Sequence, residues 1–140
     1  MCKDVIAVKI DSISHYLERI VLHTPKSAED LTGNYGAQDI ISVNLERIIQ
    51  ACVDMGAIII SENNWTPAQT MKQTFAMLHA QKVIAGDSVE QMKKAIGFRN
   101  ISVHEYQKIN WDIVFAICTK HLDDFKCFAR QVSEYVFKDE

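Results

Sequence analysis

The sequence predicts an all-α protein, an up-and-down bundle of four to five helices that pairs as a homodimer. Only two prolines and five glycines interrupt 140 residues. The apolar residues recur every three or four positions rather than alternating, which selects helices over strands. Helix-start residues stand before several of the apolar runs, with connections of a few residues between them, the pattern of antiparallel neighbours in a bundle. A chain of this length buries one core, so residues 1–140 are expected to form a single domain.

In the first helix Ile6, Ile10, Ile13, Leu17 and Ile20 form one apolar seam until Pro25 forbids continuation. The segment "SAEDLTGNYGAQD" carries Gly33 and Gly36 and reads as a connection with room for a short helical turn. A second seam follows in Ile41, Leu45, Ile48, Cys52, Met55 and Ile59, closed by Asn63 and Asn64. On another face of that helix Glu46, Gln50 and Asp54 line up, a row expected to be either solvated or a bundle contact. "TPAQ" opens a third helix, with Thr66 as cap, Pro67 at the first position and Gln69 returning a bond, running to about Lys82. "SVEQ" repeats the grammar, so Ser88 is expected to cap a fourth helix. Asn110 then caps a long last helix whose seam is Trp111, Val114, Cys118, His121, Phe125, Phe128, Val132 and Tyr135. Narrow, regular seams on the first and last helices leave apolar surface for a second copy to cover.

Composition narrows the function classes. With 48% hydrophobic and 24% charged residues and no apolar run near the roughly 18 residues of a membrane span, the chain reads as soluble, with no membrane partner. Its start lacks the basic and apolar regions of a secretion signal. Cys2, Cys52, Cys118 and Cys127 show no CxxC spacing, so neither a zinc site nor a redox pair is signalled, and reduced, mostly buried thiols of a cytoplasmic protein are expected. A net charge of −3 argues against broad adhesion to nucleic acid but leaves room for a local basic cleft.

The chemistry concentrates in "RNISVHEY", residues 99–106. On a continuous helix Asn100 and His104 share a face, Arg99 lies about 140° from His104, and Arg99 and Tyr106 nearly eclipse. A guanidinium is a planar, permanently charged fork for phosphate oxygens, and an imidazole takes or returns protons near neutrality. Together they suffice for cofactor-free, metal-independent cleavage of RNA by internal attack of the 2'-hydroxyl. One motif histidine per chain leaves that reaction one proton-transfer group short, which a two-fold axis would supply. Two His104 and two Arg99 would then line one cleft, with Lys93, Lys94 and Lys108 nearby.

Other roles compete for these residues. An Arg and a His five apart occur by chance in many helices, and Tyr106 alone reads as a packing residue with a bonded hydroxyl. His121, inside an apolar seam, reads as a satisfied core or interface histidine. His15, His23 and His79 are expected at the surface, with no acidic or cysteine partner at metal-ligand spacing. A different functional class also fits: a non-catalytic helical adaptor, in which the motif organises an interface or a nucleotide pocket.

"RNISVHEYQKINWDI" resembles the signature Arg, four residues, His, one residue, Tyr of the HEPN superfamily, most closely its HepT-type toxins. "NLERIIQACVDMGAIIISEN", "TPAQTMKQTFAMLHAQKVI" and "HLDDFKCFARQV" resemble the second, third and last helices of that family. The resemblance implies a HEPN-type helical bundle, dimeric, with both motifs facing a shared cleft. It implies a metal-independent ribonuclease acting as the toxin of a type VII-like toxin–antitoxin pair. Carried over by residue, Arg99 would bind and stabilise the scissile phosphate and His104 would serve in proton transfer. Asn100 matches the polar residue that follows the arginine, and Glu105 sits at the variable position. Tyr106 matches the tyrosine that a minimal nucleotidyltransferase antitoxin modifies with AMP; added anionic nucleotides beside Arg99 would block the cleft by bulk and charge.

Overall fold

The computed structural model describes residues 2–139, and among them there are helices and turns but no strand. The elements are α1 (Lys3–His23), α2 (Ala28–Thr32), α3 (Tyr35–Glu62), α4 (Met71–Ala80), α5 (Gly86–His104), a 3-10 turn (Tyr106–Lys108), α6 (Trp111–Ala116), a π turn (Ile117–His121) and α7 (Leu122–Val136). The long α3 is central and packs against α1, α4, α5 and α7, while α7 closes the bundle on α1 and α5. No helix of the described residues is long and apolar enough to cross a membrane.

The seams read from sequence are the core. Ile6, Ile13, Leu17 and Ile20 of α1 are buried, as are Ile41, Leu45, Ile48, Cys52, Met55 and Ile59 of α3. Ile10 is only half-buried. In the same core Phe75 of α4 meets Phe128 of α7 edge to face, with ring centroids 5.4 Å apart. Helix α4 approaches α3 closely because position 56 is glycine: a Cβ there would lie 2.5 Å from Cγ2 of Thr74. Pro25 ends α1 as expected, with Thr24 already extended. The connection after it does contain a short helix, α2, capped by Ser27, whose side chain accepts from the Asp30 amide.

Several boundaries differ from the sequence reading. Helix α4 begins four residues later than "TPAQ" indicates, because the chain holds a second signal of the same kind. The Thr70 side chain accepts from the Gln73 amide, and the Gln73 carboxamide accepts from the Gln69 amide, so this signal wins over Thr66. The helix stops at Ala80, before Lys82, whose φ of 63° is incompatible with helix. Ser88 is not a cap either. It lies buried inside α5, receiving a hydrogen bond from Gln131 Nε2 at 2.8 Å, while Gln131 Oε1 accepts from the Ala85 amide at 2.6 Å. One side chain of α7 thus ties down the start of α5, a tertiary cap that no local spacing reveals.

The last helix is not one unbroken seam. Asn110 caps it as expected, accepting from the Asp112 and Ile113 amides, but the π turn inserts one residue into the register. The core position therefore passes from His121 to Leu122, and His121 is exposed, 3.5 Å from the Asp124 carboxylate, rather than part of the core. His15, His23 and His79 lie at the surface. His15 does have an acidic neighbour, since its Nδ1 stands 3.6 Å from the Asp11 carboxylate one helical turn away. All four cysteines are free; Cys52 and Cys118 are buried and Cys2 and Cys127 half-buried. Burial pushes the Cys118 thiol up to about 11, partly offset by a hydrogen bond with Thr24, and raises Cys52 further, so both are inert at neutral pH.

Candidate active site at the end of α5

Helix α5 carries Arg99, Asn100 and His104, and it ends at His104. Glu105 leaves helical geometry, with φ −143° and ψ 54°, although its amide still bonds the Ile101 carbonyl at 2.8 Å. Tyr106 therefore does not continue α5 and does not eclipse Arg99, as a continuous helix would require. It opens the 3-10 turn, which is closed by the Lys108 amide on the Glu105 carbonyl at 2.8 Å and the Ile109 amide on the Tyr106 carbonyl at 3.1 Å. The Tyr106 ring packs edge to face on Trp111, centroids 5.9 Å apart.

Three polar side chains of α3 receive the motif. Asp39, Glu46 and Gln50 are seven and four residues apart, so they share one face of that helix. The Tyr106 hydroxyl donates to Asp39 Oδ1 at 2.6 Å, the Ser102 hydroxyl donates to Glu46 Oε1, and Arg99 Nη2 donates to Gln50 Oε1 at 3.4 Å. The order is reversed between the two segments, which run antiparallel. Gln50 is held in turn: its Nε2 donates to Asp54 Oδ1 at 2.9 Å, and Lys9 Nζ of α1 reaches Asp54 Oδ2 at 3.5 Å. The row Glu46, Gln50 and Asp54 is thus a bundle contact that carries the motif. Asp39 and Ser102 went unnoticed in the sequence. Asp39 does continue the Glu46 row by one heptad, a spacing that could have drawn attention to it.

The electrostatics follow from these partners. The Tyr106 phenol is held above its ordinary pKa, first by partial burial and then by the hydrogen bond to Asp39, with Ser42 acting the other way. Arg99 is half-buried and spends one N–H of five on Gln50, leaving its other donors for an anion. His104 and Asn100 are exposed, and His104 has no hydrogen-bond partner among the described residues. On α5, Arg99 and His104 point about 140° apart, and neither a hydrogen bond nor an ion pair joins them among the described residues. One chain does not assemble the pair.

The three lysines divide. Lys93 lies three helical turns before His104 on the same face of α5, 3.9 Å from Glu90. Lys94 and Lys108 instead border a pocket of about 550 Å³ lined from α3, α5, α6 and α7, with Leu45, Ile49 and Phe125 among its buried apolar residues. Within one chain they do not converge on Arg99, since Lys94 lies about 140° from it in the sense opposite to His104.

Comparison with known proteins bears on this geometry. The family model "Ribonuclease HepT-like" matches residues 13–132. The mRNA nuclease HepT of Shewanella oneidensis is 31% identical over 125 residues, covering 89% of this chain and 93% of that protein. The tRNA nuclease HepT of Aphanizomenon flos-aquae is 25% identical over 132 residues, covering 94% of this chain and 90% of that protein. Among solved structures, the tri-AMPylated Shewanella oneidensis HEPN toxin in complex with an MNT antitoxin superposes with a TM-score of 0.87 at 30% identity, covering 99% of each chain. A toxin–antitoxin crystal structure with AMP-PNP superposes with a TM-score of 0.87 at 29% identity, covering 93% of this chain and 98% of that one. With the family model covering most of its length and the helical bundle shared with these toxins, the chain belongs to the ribonuclease HepT-like family.

Proposed function

We propose that this chain is the ribonuclease toxin of a cytoplasmic toxin–antitoxin pair, cleaving RNA as a homodimer and neutralised by a minimal nucleotidyltransferase antitoxin. The observation that carries the reading is the state of the motif. Arg99 is braced by Gln50 with donors to spare, while His104 stands free and exposed at the end of the same helix. A clamp and a proton-transfer group are both presented, yet on different sides of α5.

A second copy completes the site. Between the directions of Arg99 and His104 lies Val103, 48% exposed, and the α3 face bearing Asp39, Glu46 and Gln50 also carries Val43, 40% exposed. Apolar side chains open to water among the polar rungs favour burial against a mate. Across a two-fold axis one His104 takes the 2'-hydroxyl proton and the other protonates the leaving 5'-oxygen. The Arg99 guanidiniums hold the charge that builds on the phosphate. No metal is required by this residue set.

Tyr106 is the proposed acceptor of AMP, its hydroxyl standing on the turn directly after His104. The anionic nucleotide added there repels RNA phosphates and fills the approach to Arg99. Arg99→Ala and His104→Ala test the nuclease reading: each is expected to cost on the order of 10²- to 10⁴-fold in RNA cleavage by the purified chain. Undiminished cleavage by either variant would contradict the assignment. An inert wild-type chain that still binds its nucleotidyltransferase would favour the adaptor role.

A further inference from the structure

We infer that Asp39 is the proton acceptor for the first nucleotidyl transfer onto Tyr106, so that this chain supplies part of the chemistry of its own modification. The inference rests on the reading of Tyr106 as the acceptor. It starts from the 2.6 Å hydrogen bond in which the phenol donates to Asp39 Oδ1. A phenol is almost wholly protonated at neutral pH, so it becomes a nucleophile only if a base within hydrogen-bond reach takes its proton as the new bond forms.

Asp39 is the side chain in that position. The other groups bearing on the phenol from α3 are Ser42 and Glu46, and Glu46 is occupied by the Ser102 hydroxyl. On the side of the turn, Trp111 offers a ring face contact and no base. Asp39 and Tyr106 are both exposed, so a nucleoside triphosphate held by a partner enzyme can reach the hydroxyl without unfolding either segment. The same division of labour, a fixed aspartate taking the proton of an acceptor hydroxyl, operates in protein kinases.

The step balances as follows. The Tyr106 phenolic oxygen attacks the α-phosphorus of the triphosphate and a P–O bond forms there. The bridging bond between the α- and β-phosphates breaks and pyrophosphate leaves. The phenolic proton passes to Asp39 Oδ1 and from there to solvent. No redox partner is needed, and the nucleoside triphosphate is the only co-reactant.

The test follows AMP addition by intact mass, using the full-length chain, its cognate minimal nucleotidyltransferase and ATP. Four forms are compared: wild type, Asp39→Asn, Asp39→Glu and Tyr106→Phe. Asp39→Asn keeps shape and an accepting oxygen but removes basicity, so the first addition is expected to slow on the order of 10²-fold or more at neutral pH. Its rate should then climb with pH as phenolate forms unaided, whereas the wild-type rate stays nearly flat. Asp39→Glu should recover part of the loss. A purely structural role would move neither the pH profile nor this order of variants. If Asp39→Asn is modified at the wild-type rate while Tyr106→Phe is not modified, the inference is overturned and the acceptor assignment stands. If Tyr106→Phe still gains AMP, both are overturned.

Discussion

Arg99 on α5 is anchored to α3 through Gln50: Nη2 of the guanidinium donates to Oε1 at 3.4 Å, and Gln50 is itself pinned by Asp54 at 2.9 Å. In its proposed role as a phosphate clamp Arg99 needs its fork aimed before substrate arrives, and this relay restrains it at little energetic cost, because both partners are half-buried.

Gln50→Ala removes the anchor and leaves the guanidinium. We expect RNA cleavage to fall roughly fivefold, the equivalent of about 1 kcal/mol for one weak hydrogen bond to a charged group. Gln50→Glu, which can still accept from Arg99, should retain most of the activity. Steady-state cleavage of a defined RNA by both variants checks this; equal losses would mean that Gln50 acts through something other than the contact with Arg99.

Tyr106 titrates above its ordinary value in the folded chain. Since the folded value exceeds the unfolded one, the associated stabilisation is fully present below about pH 10 and disappears as pH rises through the folded value. Asp39→Asn should lower the Tyr106 midpoint but not fully normalise it, because partial burial remains the larger cause. The difference in phenolate absorbance between each chain and its Tyr106→Phe counterpart reads the shift, and an unchanged midpoint would count against the hydrogen bond.

The Phe75–Phe128 contact joins α4 to α7 within the core, with both rings fully buried. Phe128→Ala leaves a cavity and is expected to cost about 3–5 kcal/mol, a fall in Tm of roughly 10 °C or more. Phe128→Leu should cost clearly less. Thermal melts followed by circular dichroism decide between them.

Gln131 ties the start of α5 to α7 by accepting from the Ala85 amide and donating to the Ser88 hydroxyl. Gln131→Ala leaves the exposed Ala85 amide to water and the buried Ser88 hydroxyl without its donor, so about 1 kcal/mol of stability should be lost. Ser88→Ala is expected to be milder. Chemical denaturation midpoints of the two variants test the ranking.

Much of this was legible from residue spacing, and the failures have physical causes of their own. Periodicity marks which face of a helix is buried, so the seams of α1 and α3, the cap at Asn110 and the stop at Pro25 could be read directly. Where two local signals of the same kind competed, as at Thr66 and Thr70, spacing alone could not choose between them. The π turn that turns His121 outward and the break after His104 are backbone events inside runs that otherwise look helical. The motif residues Arg99, His104 and Tyr106 were visible as chemistry. Of the groups that pair this segment with α3, Glu46 and Gln50 stood out only as a polar row, and Asp39 and Ser102 not at all, since pairing between segments about fifty to seventy positions apart leaves little trace in either one.

The central claim is that two chains share one catalytic cleft and that both His104 side chains are needed. Wild-type and His104→Ala chains, mixed in varying ratio at constant total concentration and allowed to exchange subunits, test it through the initial rate of RNA cleavage. A shared site predicts activity that follows the square of the wild-type fraction, so an equal mixture should retain about a quarter of the full rate. A linear decline, with about half the rate remaining in the equal mixture, would mean that each chain cleaves with its own histidine alone and would contradict the account.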